Sequence, residues 1–132
     1  MRFPNLNCKI QIFSPLNPSE DPEKIKKSIS NVLSGSTISF ENFSIKGESD
    51  NLESLEKIYE TIHSRQSQRV LQRQLVKHSD KNTTWFYLNK QAAFVEKIVL
   101  CEEADESPLG PLKVILTSPT IDKVIDFLVF ED

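Results

Sequence analysis

The sequence predicts an α+β fold in the order β-α-β-α-β-β-β-α, a mixed or antiparallel sheet with helices packed on one face and one of the helices long. Three observations carry this. Short apolar runs of period two recur at residues 8–13 and 112–117, and residues 84–88 are dense in β-formers, the signatures of strands. Apolar residues at helical spacing occupy the stretches between some of them. The strands cluster late, and the helices are too few to cover both faces of a parallel sheet.

In Cys8-Lys9-Ile10-Gln11-Ile12-Phe13 the first, third and fifth residues share one face, as a strand with one buried side requires. The prolines at 15, 18 and 22 end that strand. Asp21 is placed to cap a helix whose first residue is Pro22, where a missing amide costs nothing, and Glu23 sits at the positive end. Ile25, Ile29, Val32 and Leu33 give that helix its apolar stripe, and Ser34-Gly35 ends it. A second strand is expected over residues 37–45. Its apolar phase changes between Ile38/Phe40 and Phe43/Ile45, which a bulge near Glu41-Asn42 would absorb.

Gly47-Glu48-Ser49-Asp50 reads as a turn, and Asp50 with Glu53 as the capping-box start of a helix reaching about residue 79. Such a helix would be roughly 44 Å long, against a diameter of roughly 35–40 Å for a chain of this size. It must overhang, bend or meet a partner. Trp85, Phe86, Tyr87 and Leu88 then form a strand, and residues 95–101 another. Between them Asn89-Lys90-Gln91-Ala92-Ala93-Phe94 has no Gly, Pro or Asp for a tight turn. A short turn of helix is expected there, holding Lys90 and Gln91 out from the sheet end. An acidic connection, Glu102-Glu103-Ala104-Asp105-Glu106, leads to a strand with Leu112, Val114 and Leu116 on one face. Ser118 or Thr120 caps a last helix with Ile121, Val124, Ile125 and Leu128 inward, and residues 130–132 fray.

The 132 residues, 38% hydrophobic and 27% charged, suit one domain spanning 1–132 that folds without a staple. No apolar run is long enough to span a bilayer and no signal-peptide core opens the chain, so a cytoplasmic protein is expected. Cys8 and Cys101 lack zinc or disulfide spacing and read as free buried thiols. A net charge of −3 is not that of a generic polyanion binder, so any nucleic-acid role must rest on a local patch.

Two features suggest such a patch. Arg65, Arg69, Arg73 and Lys77 recur every fourth residue and so share one helical ridge. Mutual repulsion there calls for a counter-anion, which phosphate supplies and the guanidinium fork suits. The alternative is a solvated face with Gln spacers. Lys90 and Gln91, with Asn89, offer a cation and amides beside Trp85 and Tyr87 for phosphate or 2′-hydroxyl contacts; alternatively Asn89 only caps a turn and the aromatics are core. The acidic connection reads as a solvated loop rather than a cation site, having no spaced-ligand motif. His63 and His78 have no partner at ligand spacing and read as surface or core-edge residues. No metal, cofactor or small-molecule substrate is indicated. With three glycines, no phosphate-cradling loop and no nucleophile motif, an enzyme would need dispersed carboxylates.

Taken together, Pro18-Ser19-Glu20-Asp21-Pro22-Glu23-Lys24-Ile25, Phe86-Tyr87-Leu88-Asn89-Lys90-Gln91-Ala92-Ala93-Phe94 and Leu109-Gly110-Pro111-Leu112-Lys113-Val114 resemble an archaeal conserved family labelled RNA-binding or exosome-subunit-like. The resemblance covers nearly the whole chain. It implies a fold similar to the ribosomal protein L-five family, a homodimer and an RNA-binding role. It also implies Gly where Glu96 stands, and an Asp and a second Arg where this chain has Gln72 and Leu75. The expectation is a non-catalytic, dimeric protein binding structured RNA through Lys90, Gln91, Asn89, Arg65, Arg69 and Arg73. The alternative is a protein-interaction or assembly module without nucleic acid.

Overall fold

The computed structural model describes residues 3–41, 43–102 and 110–130. Six strands form one antiparallel sheet in the order β2-β3-β1-β6-β4-β5. They are β1 (Lys9–Pro15), β2 (Thr37–Glu41), β3 (Ser44–Ser49), β4 (Thr83–Leu88), β5 (Leu100–Cys101) and β6 (Leu112–Thr117). The helices are α1 (Pro22–Val32), α2 (Glu56–Ser64), α3 (Gln68–Lys77), the short α4 (Lys90–Phe94) and α5 (Ile121–Val129), with a 3₁₀ turn over Leu52–Leu55. The expected α+β class holds, with every strand pairing antiparallel.

The period-two runs bury alternate residues as predicted, Ile10 and Ile12 in β1 and Val114 and Leu116 in β6, and β4 does the same with Phe86 and Leu88. These join Ile25 and Ile29 of α1, Ile58 of α2, Leu71 and Leu75 of α3, and Val124 and Leu128 of α5 in one core on a single side of the sheet. Asp21 caps α1 by accepting from the Glu23 amide, with Pro22 opening the helix. α1 packs closely over Gly47. A Cβ there would lie 2.5 Å from Ile29 Cγ2, so any side chain would push the helix off the sheet.

Four local expectations are corrected. The phase change over residues 37–45 marks a chain reversal, not a bulge: β2 and β3 are separate strands, with Glu41 opposite Ser44 and Phe43 at φ +58°. Asn42, where the bulge was expected, lies outside the described residues. In consequence the expected turn at 47–50 is largely strand, since β3 runs through Ser49. The single long helix is instead the 3₁₀ turn, α2 and α3. Asn51, rather than Asp50, caps its start by accepting from the Glu53 amide.

The long helix breaks at Gln66, whose φ is +54°. The Ser67 amide donates to Ile62 O at 2.9 Å and the Gln66 amide to His63 O at 3.2 Å, the paired bonds of a Schellman cap. This bend resolves the excess length. Finally, the strand expected over 95–101 survives only as β5, because α4 ends in a second Schellman cap. There the Lys97 amide donates to Ala92 O and the Glu96 amide to Ala93 O, with Glu96 at φ +63°. That left-handed backbone is the physical reason a Gly is the favoured residue at position 96.

Candidate nucleic-acid interface

The connector 89–94 is helical, as its alanines predict, and the Asn89 side chain caps it by accepting from the Ala92 amide at 2.8 Å. Lys90, however, does not project outward. It is 3% exposed, and its Nζ donates to Pro15 O and to both carboxylate oxygens of Glu20, each at 3.2 Å. Glu20 in turn accepts from the Asn17 backbone and side-chain amides at 3.1 and 2.7 Å. Burial lowers the Lys90 pKa, an effect that Glu20 opposes through its hydrogen bond and charge. Burial would raise that of Glu20, but the Asn17 hydrogen bonds and then those of Lys90 together carry it below the usual carboxylate value. The pair ties the loop after β1 to α4. Gln91 is exposed at the rim of a cleft of about 320 Å³, which Lys24 and Phe94 also line.

The arginines divide at the helix break. Arg65 caps α2 and turns back, donating from Nη1 to Ile98 O at 3.2 Å. Arg69, Arg73 and Lys77 lie one turn apart on α3 and are exposed; Arg73 reaches Glu102 at 4.0 Å. Glu102 is the one residue of the 102–106 acidic connection that falls within the described residues.

Sequence reasoning noted Trp85 and Tyr87 but left them between ligand and core. They stand on the face of the sheet turned away from the core. There Gln11, Phe13, Lys46, Glu48, Lys113 and Ile115 are likewise only half-buried. The Trp85 ring is stacked on His78 at 3.4 Å between centroids and 10° between planes, and Lys113 Nζ sits 4.4 Å from the same ring. Tyr87 lies 4.9 Å from Trp85. Further across the sheet, Lys46 Nζ lies 5.5 Å from the Phe13 ring while pairing with Glu48 at 2.6 Å. His78 caps α3 one residue after Lys77 and bonds through Nδ1 to Trp85 O at 3.0 Å.

His78 thus links the cationic ridge of α3 to the aromatic face of the sheet. The one sequence signal for that face was alternation: Trp85 and Tyr87 are out of phase with Phe86 and Leu88. Nothing in the sequence signalled His78. His63 is a core-edge residue, stacked on Tyr59 and bonded through Nε2 to Leu128 O at 2.9 Å. Half-buried aromatic rings beside a ridge of cations are elements from which single-stranded nucleic-acid surfaces are made, rings stacking with bases and cations meeting phosphates.

Among the described residues no helix is long and apolar enough to cross a membrane. A family model described as RNA binding matches residues 9–118. A UPF0201 protein of Methanothermobacter thermautotrophicus is 34% identical over 120 residues, covering 91% of this chain and 89% of its own length. Two crystal structures of UPF0201 proteins superpose at 25% identity. One, from Methanococcus jannaschii, has a TM-score of 0.77 and covers 94% of each chain; the other has a TM-score of 0.78 and covers 93% of this chain and 94% of its own. The chain therefore belongs to the archaeal UPF0201 family, whose family model carries the description RNA binding.

Proposed function

We propose that this chain is a non-catalytic, cytoplasmic RNA-binding protein that works as a homodimer, and that RNA lies across α3 and the outer face of the sheet. The observation that carries the proposal is the His78–Trp85 stack with Lys113 over the ring. It makes one surface of the Arg69, Arg73 and Lys77 ridge and the Tyr87–Lys113 region of the sheet. Phosphates engage the ridge, and unpaired bases of a structured RNA engage the rings, which is how sequence-tolerant RNA surfaces commonly work. Asn89 and Lys90 serve as scaffold in this reading, Gln91 lies at a separate rim, and Arg65 supports the α2 end. Buried free thiols suit a reducing compartment.

Trp85 is the chain's one tryptophan, so its fluorescence reads the site directly. Titration with a stem-loop RNA at low salt is expected to change the emission and to reverse on adding salt. Saturating RNA that leaves the emission unchanged would refute this placement.

A second reading, an assembly module without nucleic acid, is favoured by the β2–β3 hairpin. β2 is an edge strand, and Phe40 and Phe43 are 51% and 88% exposed there. Exposed apolar side chains beside an unpaired strand edge suit pairing with a second copy. The same feature supports the homodimer. Phe43→Ser is expected to halve the mass in light scattering. If it does so while RNA never binds, the assembly reading is the correct one.

A further inference from the structure

We infer that a second copy docks on β2 in one register, Ser39 opposite the partner's Ser39 across a twofold axis, so that two sheets continue as one and carry both RNA-facing surfaces on the same side. The inference rests on the homodimer and RNA readings and adds the interface that joins them. β2 is the outer strand of the six-stranded sheet and pairs only with β3 among the described residues. Its five residues, Thr37 to Glu41, include neither the Lys nor the Pro that commonly guards a strand edge. Ile38 and Phe40 lie opposite Gly47 and Ile45, on the side of the sheet that α1 covers. Phe40 stays 51% exposed there, with Lys26 Nζ 4.4 Å from its ring.

The ladder fixes what the edge offers. The Leu16 amide donates to Phe43 O at 2.8 Å, continuing the β1–β3 pairing by one step. Hydrogen-bonded pairs alternate along an antiparallel ladder, so Ile45 and Gly47 turn their backbone groups to β1, and Ser44, Lys46 and Glu48 turn theirs to β2. The β2 partners of those three, Glu41, Ser39 and Thr37, are thereby bonded inward. The amides and carbonyls of Ile38 and Phe40 point outward. Only outward residues bond across a new edge, and an axis at Ser39 sets Ile38 against the partner's Phe40 and Phe40 against the partner's Ile38. All of β2 is then paired, whereas an axis at Ile38 or Phe40 runs each strand past the end of the other. Opposite residues share a face, so each Phe40 ring gains a β-branched neighbour, and Glu41 meets the partner's Thr37 rather than a second carboxylate. Continued past the strand, the register brings Phe43, 88% exposed, to the partner's Gly35, where a side chain would meet nothing within 4 Å. The axis stands perpendicular to the sheet and so keeps both outer faces on one side. β4 is the fifth strand in from the β2 edge, which sets the two Trp85 regions about nine strand spacings, roughly 43 Å, apart along the sheet.

The test is oxidative cross-linking of the full chain carrying Ser39→Cys, read on non-reducing gels. Cys8 and Cys101 are buried, so the new thiol is the accessible one. The Ser39 pair is not hydrogen-bonded and holds its Cα atoms about 4.5 Å apart, within the range of a disulfide. Ser39→Cys is expected to give a covalent dimer. Thr37→Cys or Glu41→Cys alone should not cross-link, and the two together should. Phe40→Lys should halve the mass in light scattering with its circular dichroism unchanged. Anisotropy at low salt then tests the shared face with labelled oligomers of about eight and about forty uridines. The longer oligomer should gain about tenfold more affinity on the cross-linked dimer than on Phe40→Lys, because its second contact is intramolecular. A dimeric mass without a Ser39→Cys cross-link, or cross-linking by Glu41→Cys alone, would overturn the register and leave the homodimer standing. A monomeric wild type would remove the homodimer and this interface together. Equal gains on dimer and monomer would overturn the shared face. No uridine binding by either would remove the RNA reading and the shared face with it, while the cross-links decide the interface.

Discussion

Removing the Lys90 ammonium should destabilise the protein rather than disarm it. Lys90 and Glu20 have side chains 4% and 8% exposed, and Lys90 satisfies three acceptors at once. Deleting one partner of a buried ion pair costs about 3–5 kcal/mol, because the other charge stays buried. Asn17 still donates twice to Glu20, which places Lys90→Met near the lower end, about 3 kcal/mol. For a chain of this length that is a fall in melting temperature of roughly 12 °C. Adding Glu20→Gln removes the stranded charge while keeping an oxygen for the Asn17 amides, so the double variant should recover most of the loss. The pH dependence gives a second sign. In the wild type the Glu20 pKa is lowered, so its contribution is present above the ordinary glutamate value and is lost as pH falls through the folded one. Without Lys90 only the Asn17 hydrogen bonds oppose burial, so that pKa is lowered less and the variant's deficit should shrink in acid. Urea denaturation between pH 4 and 7 measures both effects. A deficit below about 1 kcal/mol at neutral pH, or weaker RNA binding by fully folded Lys90→Met, would refute the structural assignment.

Other outcomes follow from separate parts of the molecule. Glu96→Gly relieves a left-handed backbone at an exposed site and should stabilise by about 1 kcal/mol, seen as a higher urea midpoint with an unchanged slope. Arg73→Ala with Lys77→Ala should lower the salt dependence of RNA affinity by about two units, one per phosphate contact. Arg65→Ala should leave it unchanged, because that guanidinium is bonded to Ile98 O. Trp85→Ala should lose about 1–3 kcal/mol of binding, whereas Trp85→Phe keeps a stacking ring and most of the affinity. Burial pushes the Cys8 thiol up to about 11, with the Thr117 backbone bond opposing it. Its contribution to stability is therefore lost as pH rises from the ordinary thiol value towards 11, and Cys8→Ala should flatten that decline in urea titrations at pH 8 and 10.5.

Much of the fold was legible because its strands obey a rule with a fixed period. The alternation around Ile10 and Val114 specified the buried faces of β1 and β6, and the Asp21-Pro22 cap specified the start of α1. The failures share one cause. Phe43, Gln66 and Glu96 adopt positive φ without being glycine, so the residues at those three reversals gave no sign of them. Each hid an end: of β2, of α2 and of α4. The candidate site was less legible for a related reason. The Arg69, Arg73 and Lys77 spacing was visible, but a charged residue's partner depends on tertiary contacts. Lys90 found Glu20 seventy positions away, whereas His78 gained its role from a strand that begins five residues later.

The break at Gln66 decides which cations act together. In one continuous helix Arg65 would extend the ridge of Arg69, Arg73 and Lys77 by a further turn. With the Schellman cap in place, Arg65 belongs to the end of α2 and is spent on Ile98 O, while α3 starts afresh at Gln68. The new axis delivers the end of α3 to the part of β4 that β5 does not pair, where Thr84 donates to Leu75 O and His78 reaches Trp85 O. Those two contacts fix α3 on β4, and with it the distance between ridge and rings. A chain that kept the helix straight would carry the same charges in the same order but would hold no aromatic face beside them. The same break therefore settles both the length mismatch of the helix and the composition of the surface. For that reason Gln66→Gly, which favours the bend, should stabilise the protein with RNA affinity intact, whereas Gln66→Pro, which cannot adopt the positive φ, should lose both.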